Sequence, residues 1–419
     1  MVAQPTAAPF PPAARYTVSM ISVRDAQTHI LDRITAAAPP EFLPLAAALG
    51  RVLAADVRAE MDVPPTDNSA VDGYAVASAD IPAAGARSLE VVAEIAAGSV
   101  FAGVLHPGQA LRIMTGAPMP AGADTVYPQE VVERNGSRVI VGPLKPGVNT
   151  RHRGEDVQAG MVVLAAGGVL RPQEIGVAAS LGLAQLLVRR KPRVAILSTG
   201  DEVAEPGSVR KPGQIYDSNR FSLRGLVEGA GATAVDDGIV PDRFDELHTR
   251  LLRAAEHADV VLTSGGVSVG DYDLVKAVLQ QAGGIDFWQV AMQPGRPLAV
   301  GSIGSAHFFG LPGNPVASML TFHLFVRPAL WKLAGRRELF VQPFRATAVE
   351  PLGKKPGRRE FKRGILTYEN DRWEVRTTGP QGSGILTSMT AANCFIVIEE
   401  ERGDVKTGET VFVETFQPL

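Results

Sequence analysis

The chain has 419 residues, with 41 Lys plus Arg against 44 Asp plus Glu and a formal charge of -3. At roughly 100 to 200 residues per domain, that length predicts two to four domains. So balanced a charge leaves no overall basic field to hold a nucleic-acid backbone or an anionic membrane, so the expected partners are a small molecule or another protein. Cys394 is the only cysteine, which excludes an intramolecular disulfide, a CxxC-type zinc cluster and a thiol redox pair, and fits a reducing cytoplasm. No run reaches the ~18 apolar residues of a membrane span, so a soluble cytoplasmic protein is expected.

Residues 1–20 are rich in Pro and Ala and lack the basic and apolar regions of a signal peptide, which predicts a disordered lead-in. Ser22 with Asp25 three residues on can cap a helix whose stripe is Ile30, Leu31 and Ile34. Over residues 51–146, short alternating runs (LEVVAEI, ALRIMT, RVIVGPL) between Gly and Pro turns predict a small β domain inserted into a neighbour made of residues 21–50 and 147–190.

From residue 191 to 335 strands and helices alternate. RVAILS precedes a helix with Leu223, Leu226, Val227 and Ala230; ATAVDDGIV precedes one with Phe244, Leu247 and Leu251; DVVLT precedes one with Val275, Val278, Leu279 and Ala282. That alternation predicts a parallel sheet covered on both faces. HFFGL and the apolar helix ASMLTFHLFV complete it, and residues 336–419 return to β-type runs (FRATAV, WEVRTT, CFIVIEE, TVFVET). The expected fold class is therefore a multidomain α/β chain: a central parallel-sheet α/β domain, an inserted small β domain in the N-terminal half and a C-terminal β domain.

In open α/β sheets, ligands sit beyond the carboxyl ends of the strands. Three loops there carry more glycine, hydroxyl and acid than a turn needs: STGDE (Ser198 to Glu202), TSGGVSVGDYD (Thr263 to Asp273) and LPGNP (Leu311 to Pro315). Glycines let backbone N–H groups approach an oxyanion closely. Capping accounts for part of the pattern, with Ser268 and Asp271 as a capping box and Asn314 before Pro315. It leaves Ser264, Gly265, Gly266, Asp273 and the Asp201–Glu202 pair without a task. A fourth stretch, PPTDNSAVDGYAV with Asp67 and Asp72, reads by itself as Asx turns.

Gly266 to Gly270 also matches the GxSxG elbow of a serine hydrolase, with Ser268 as nucleophile. Its partners in chain order would be Asp286 and His307 or His323. Both histidines lie in apolar runs, and Gly-Asp-Tyr-Asp delays the helix that an elbow needs at once. A phosphate P-loop is absent because there is no GxxxxGK. Glu202 and Asp273 beside a phosphate would repel it by about 4 kcal/mol for a unit pair at about 4 Å and an effective dielectric near 20. A cation held by those carboxylates and by substrate phosphates resolves the conflict, and Mg²⁺ prefers that arrangement.

DNSAVDGYAV, RIMTGAPMP, RHRGED, STGDE, GQIYDSNR, SGGVSVGDYD, QPGRPLAVG and LPGNPVAS resemble, in order, the motifs of the MoeA and gephyrin E-domain family of molybdopterin molybdotransferases. The resemblance implies a central domain of the molybdopterin-binding type, an elongated homodimer, and hydrolysis of adenylylated molybdopterin with release of AMP and insertion of molybdate at the dithiolene, Mg²⁺ being present. Transient contact with the adenylyltransferase and with molybdoenzyme acceptors is also implied. By motif, Ser268 and Asp273 would sit at the phosphate and metal with Glu202 beside them, Glu202 and Asp273 being the metal ligands. Asp67, Thr115 and Asp156 would reach in from the partner subunit. Arg296, Arg358 and Ser383 would supply donors for molybdate, while Ser264, Gly265, Gly266, Pro312 and Asn314 would cradle the pterin phosphate. Where many members carry KPGKP this chain has QPGRP, so Gln293 stands in place of a lysine, and weaker anion binding is expected. The same fold as a non-catalytic scaffold or pterin-binding paralogue is the alternative.

Overall fold

The computed structural model describes residues 20–265, 278–279, 281–369 and 371–416. Two compact units emerge: residues 1–41, 50–52 and 188–419 form one, and residues 42–49 and 53–187 the other.

The first unit is built on a seven-stranded sheet. In spatial order its strands are Met20–Ile21, Gly283–Val290, Pro297–Ile303, Ala306–Leu311, Val260–Ser264, Arg193–Thr199 and Thr233–Val240. The last four run parallel. They read as near-continuous apolar runs because both faces are covered: Val194, Ile196, Val260 and Leu262 face one cluster, and Ala195, Leu197 and Val261 the other.

The sheet then continues in a way the alternation of strands and helices did not predict. Pro297–Ile303 pairs antiparallel with both Ala306–Leu311 and Gly283–Val290. The turn at Gly304, with φ +56°, is too short for a crossover and joins two of these strands as a hairpin. Close pairing also fixes Gly283, where a Cβ would lie 1.8 Å from the Ser302 carbonyl oxygen.

On one face the helix Val23–Asp32 is started by Ser22, whose hydroxyl accepts from the Asp25 N–H at 3.0 Å. It buries Val23, Ala26 and Ile30 in the same cluster as Leu320, Phe325 and Leu330 of the helical segment 315–333. Phe361 and Phe395 of the C-terminal strands join that cluster. The other face is covered by Phe244–His257 through Leu247, Leu251 and Ala254.

The C-terminal strands close on themselves. Arg359–Glu369 pairs with Arg372–Thr377 on one side and with Cys394–Ile398 on the other, and the circuit runs through Phe344–Ala348 and Thr410–Thr415. Such a closed ring leaves no free edge. Cys394 is buried inside it, packed so tightly on Gly364 that a Cβ there would stand 2.8 Å from the sulfur.

The second unit holds a six-stranded sheet between residues 73 and 141, of strand order Thr125–Pro128, Gly73–Val76, Gln109–Ile113, Arg87–Ile95, Arg138–Val141 and Glu133–Asn135. The segments before and after it pair with each other, Asn68–Ser69 with Thr150–Arg151 and Val57–Arg58 with Val162–Leu164. Among the described residues no helix is long and apolar enough to cross a membrane.

Leu320 is fully buried between the sheet and the helices. Leu320→Ala should destabilise the first unit by roughly 2 to 5 kcal/mol, seen as a lower urea midpoint with an unchanged slope.

Candidate functional site

The parallel strands Arg193–Thr199, Val260–Ser264 and Ala306–Leu311 end side by side, with Ser198 level with Ser264 and Ser264 level with Leu311. Their outgoing loops therefore converge. Gly265 takes φ +98°, and a Cβ on it would come within 2.7 Å of the Thr199 carbonyl oxygen and 3.1 Å of Thr199 Oγ1. Its N–H donates to the Leu311 carbonyl at 3.1 Å, and a Cβ on Gly313 would lie 3.8 Å from the Gly265 Cα. Only glycine fits this close approach at 265.

A side chain from a fourth segment ties the loops together. Asn219, the first residue of the helix Asn219–Gly229, donates through Nδ2 to Ser264 Oγ at 2.8 Å and to the Gly313 carbonyl at 2.7 Å. Asn219 Oδ1 and Thr199 Oγ1 are buried with no hydrogen-bond partner among the described residues. Buried acceptors in that state call for a ligand or ordered water. The start of this helix is fixed by Asp217, which accepts from the Arg220 N–H at 3.1 Å and from Arg220 Nε at 2.9 Å. Arg220, only 5% exposed, also pairs with Glu205 and Asp236. Burial opposes its charge, but the three carboxylates prevail and raise its pKa above the usual arginine range.

At Gly200 (φ +134°) a Cβ would strike the Glu202 carboxylate, 2.3 and 2.6 Å from its oxygens. Glu202 is exposed, and its carboxylate has no ion-pair partner among the described residues. Asp201 Oδ1 accepts a long bond from the Asp242 N–H, 3.4 Å.

Next to the cradle lies a second cluster. Met292–Gln293 pairs with Arg359–Glu360, which sets the QPGRP turn beside KPGRREF. A Cβ on Gly295 would meet Thr321 Oγ1 at 2.8 Å, so the turn packs on the helix Pro315–Thr321 that follows LPGNP. The Val316 N–H donates to the Ser383 carbonyl at 3.2 Å. The buried Arg363 holds that loop by donating to Ser388 Oγ at 2.9 Å and the Gly382 carbonyl at 3.0 Å. Arg296 and Arg358 are both exposed, and Arg296 donates to Gln289.

The structure thus brings Ser264, Gly265, Pro312 and Asn314 to one cradle with Glu202 at its edge, and Arg296, Arg358 and Ser383 to neighbouring turns. Gly266, Ser268 and Asp273 lie outside the described residues. Asn219 and Arg220 carry the local architecture; both lie in the GQIYDSNR motif, to which the sequence assigned no site role, and its Asp-Ser-Asn run was the available signal.

In the second unit Asn68–Ser69 lies between two expected segments. Thr150–Arg151 pairs with it on one side, while Asn68 bridges to Pro118 and the Ser69 N–H reaches the Ala117 carbonyl on the other. Asp67, the RIMTGAPMP loop and RHRGED are brought together. Asp67 Oδ1 accepts from the Arg153 N–H at 2.7 Å, with His152 Nδ1 3.4 Å from Oδ2. That backbone bond first, then His152, holds the Asp67 carboxyl below its usual range against partial burial. Thr115 donates both its N–H and its hydroxyl to Asp72 at 2.7 Å, and these bonds lower the Asp72 pKa. Asp156 is exposed, its N–H on the Val63 carbonyl.

The serine-hydrolase reading fails on register. His307 stands beside Val260, at the amino end of the parallel strands, roughly 16 Å from the loops at about 3.3 Å per residue. Asp286 is engaged by Arg33, and His323 is buried beside Arg327.

An α/β domain whose described carboxyl-end loops meet at Gly265 and Gly313, joined to a closed C-terminal β ring, is an architecture that three family models match in turn. Residues 21–182 match the MoeA N-terminal region (domain I and II), 195–332 the probable molybdopterin binding domain and 345–416 the MoeA C-terminal region (domain IV). The chain is 41% identical over 404 residues to the molybdopterin molybdenumtransferase of Haemophilus influenzae, covering 96% of this chain and 100% of that one. It is 38% identical to molybdopterin molybdenumtransferase 2 of Mycobacterium tuberculosis, with 92% and 98% covered. The crystal structure of the molybdopterin biosynthesis moeA protein from Pyrococcus horikoshii OT3 superimposes with a TM-score of 0.83 at 33% identity, over 95% of this chain and 100% of that one. The chain belongs to the MoeA family of molybdopterin molybdenumtransferases.

Two outcomes follow from the geometry. Gly265→Ala should distort the cradle, since the methyl group meets backbone at 2.7 Å in a conformation L-residues rarely adopt; catalytic turnover should fall while circular dichroism stays native-like. Asp72 has a folded pKa below its ordinary value of 3.8, so its contribution to stability is present above that value and lost as pH falls through the lowered one. The stability gap between the native chain and Asp72→Asn should therefore be constant from neutral pH down to about 4 and close below it, as measured by urea unfolding across pH.

Proposed function

We propose that the chain inserts molybdate into molybdopterin during molybdenum cofactor biosynthesis in the cytoplasm. Adenylylated molybdopterin is the substrate, and AMP leaves as the phosphoanhydride is hydrolysed. The observation that carries this reading is the cradle itself: Gly265 pressed on Thr199, Asn219 bridging Ser264 and Gly313, and two buried acceptors left open. Cleaving a phosphoanhydride is largely a matter of positioning and charge stabilisation, and this chain's residues supply both. Gly265, Pro312 and Asn314 place backbone groups around the pterin phosphate, while Arg296, Arg358 and Ser383 serve the molybdate dianion. Gln293, exposed beside Arg296, leaves that anion one cation short.

The donor chemistry fits Mg²⁺. Among the described residues no group of three or more His, Cys, Asp or Glu is placed to hold a metal, and Mg²⁺ is characteristically held by one or two carboxylates together with substrate phosphates and water. Glu202, unpaired among the described residues, would hold it with Asp273, and the bound ion would offset the charge on the anhydride. The proposal includes a homodimer, in which Asp67, Thr115 and Asp156 serve the partner's cradle.

Adenylylated molybdopterin and Mg²⁺ supplied with and without molybdate test this directly. AMP release that depends on molybdate, and that drops on Glu202→Gln, is the expected result; absence of AMP under both conditions would leave a non-catalytic role instead.

A further inference from the structure

Two arginines lie against one tryptophan in the later part of the helical segment 315–333 and just beyond it. Arg327 Cζ is 4.9 Å and Arg336 Cζ 3.9 Å from the centroid of the Trp331 ring. Arg327 is 8% exposed and Trp331 6% exposed. Among the described residues neither guanidinium forms an ion pair. Arg327 Nη2 stands 3.0 Å from His323 Nε2, and its Nη1 donates a long bond, 3.4 Å, to the Phe416 carbonyl. Two carboxylates stand near without bonding either guanidinium: Glu414, which pairs with His323 at 3.4 Å, and Glu338, whose charge favours that of Arg336. Arg327 Nε, Trp331 Nε1 and Arg336 Nε are all buried without a hydrogen-bond partner among the described residues. Burial pushes the Arg327 pKa down to about 10, partly opposed by Glu414 and reinforced by Arg336.

A buried cation without a paired anion is strongly disfavoured, and each orphaned N–H donor adds to the penalty. At this point the fold leaves a cavity of about 220 Å³ with Arg327 and Trp331 in its lining. Apart from His323 beside Arg327, the rest of its wall is apolar: Phe322 from the helical segment, Met389, Phe395 and Phe416 from the C-terminal part. An apolar cavity of about 150 Å³ takes up benzene, so this one has room for a ring and a short acidic tail.

We propose that this cavity is a binding site for a small monocarboxylate with an apolar body, of the arylalkanoate kind. Its carboxylate accepts from Arg327 and Trp331, and its body lies among Phe322, Met389, Phe395 and Phe416. The site is separate from the cradle and uses none of the residues assigned there. Because its walls come from the α/β helices and from the closed β ring together, the ligand holds the two against each other.

Calorimetric titration of the intact chain with 3-phenylpropionate and with 3-phenylpropan-1-ol tests the assignment. The acid should bind more tightly than the alcohol by roughly tenfold or more, the ratio that one charge-assisted hydrogen bond supplies. Arg327→Met should erase that preference. Ala230→Phe, which fills the cavity from its wall and leaves both arginines in place, should lose both ligands. Equal affinity for acid and alcohol, no binding of either at millimolar concentration, or an acid preference that survives Arg327→Met would overturn the proposal. Should Arg327→Met not fold, the acid-to-alcohol ratio of the native chain and the Ala230→Phe result still decide.

Discussion

The Asn219 side-chain amide spans two loops that would otherwise have no reason to stay apart by a fixed distance. Nδ2 has two hydrogens and uses both, one on Ser264 Oγ and one on the Gly313 carbonyl. This leaves Oδ1 as an acceptor in a buried place where water has little access. The clamp works because its own backbone is immobilised: Asp217 caps the helix that begins at Asn219, and Arg220 is gripped by three carboxylates. A buried ion cluster of this kind adds little net stability by itself, yet removing one partner is costly. Its effect here is to fix the origin of a helix and hence the reach of one amide.

The acids of the chain fall into two kinds. Asp67 and Asp72 accept backbone N–H bonds and are held ionised by them; their oxygens organise loops before any ligand arrives. Among the described residues Glu202 has no such partner, and it is pressed over Gly200, whose φ of +134° disfavours any side chain. An acid satisfied by its own backbone is a structural element. An acid left without such a bond at the carboxyl end of the strands is available for a cation.

Sequence patterning revealed the parallel strands, the carboxyl-end loops and the C-terminal β region, though not its closure, because each leaves a local mark: continuous apolar runs, surplus glycine and acid, alternating β-branched residues. The Ser22 cap and the helix after it were visible for the same reason. The strands Gly283–Val290 and Pro297–Ile303 were not. Their flanking Gly and Pro residues resemble loop punctuation, and their pairing partners are set by a turn at Gly304. Asn219 was hidden by a helix stripe that explained its neighbours, and the Arg327–Trp331–Arg336 stack by an apolar run that read as simple core. In both cases the decisive contacts join residues far apart in the chain, such as Asn219 with Gly313 and Arg327 with Phe416, and no periodicity reports them.

The enclosed position of Cys394 bears on redox chemistry. Burial pushes its thiol up to about 12, so at physiological pH it carries almost no thiolate, the species that attacks disulfides, alkylators and soft metals. The single thiol of a molybdopterin molybdenumtransferase is thus kept from sulfur exchange and from soft metals.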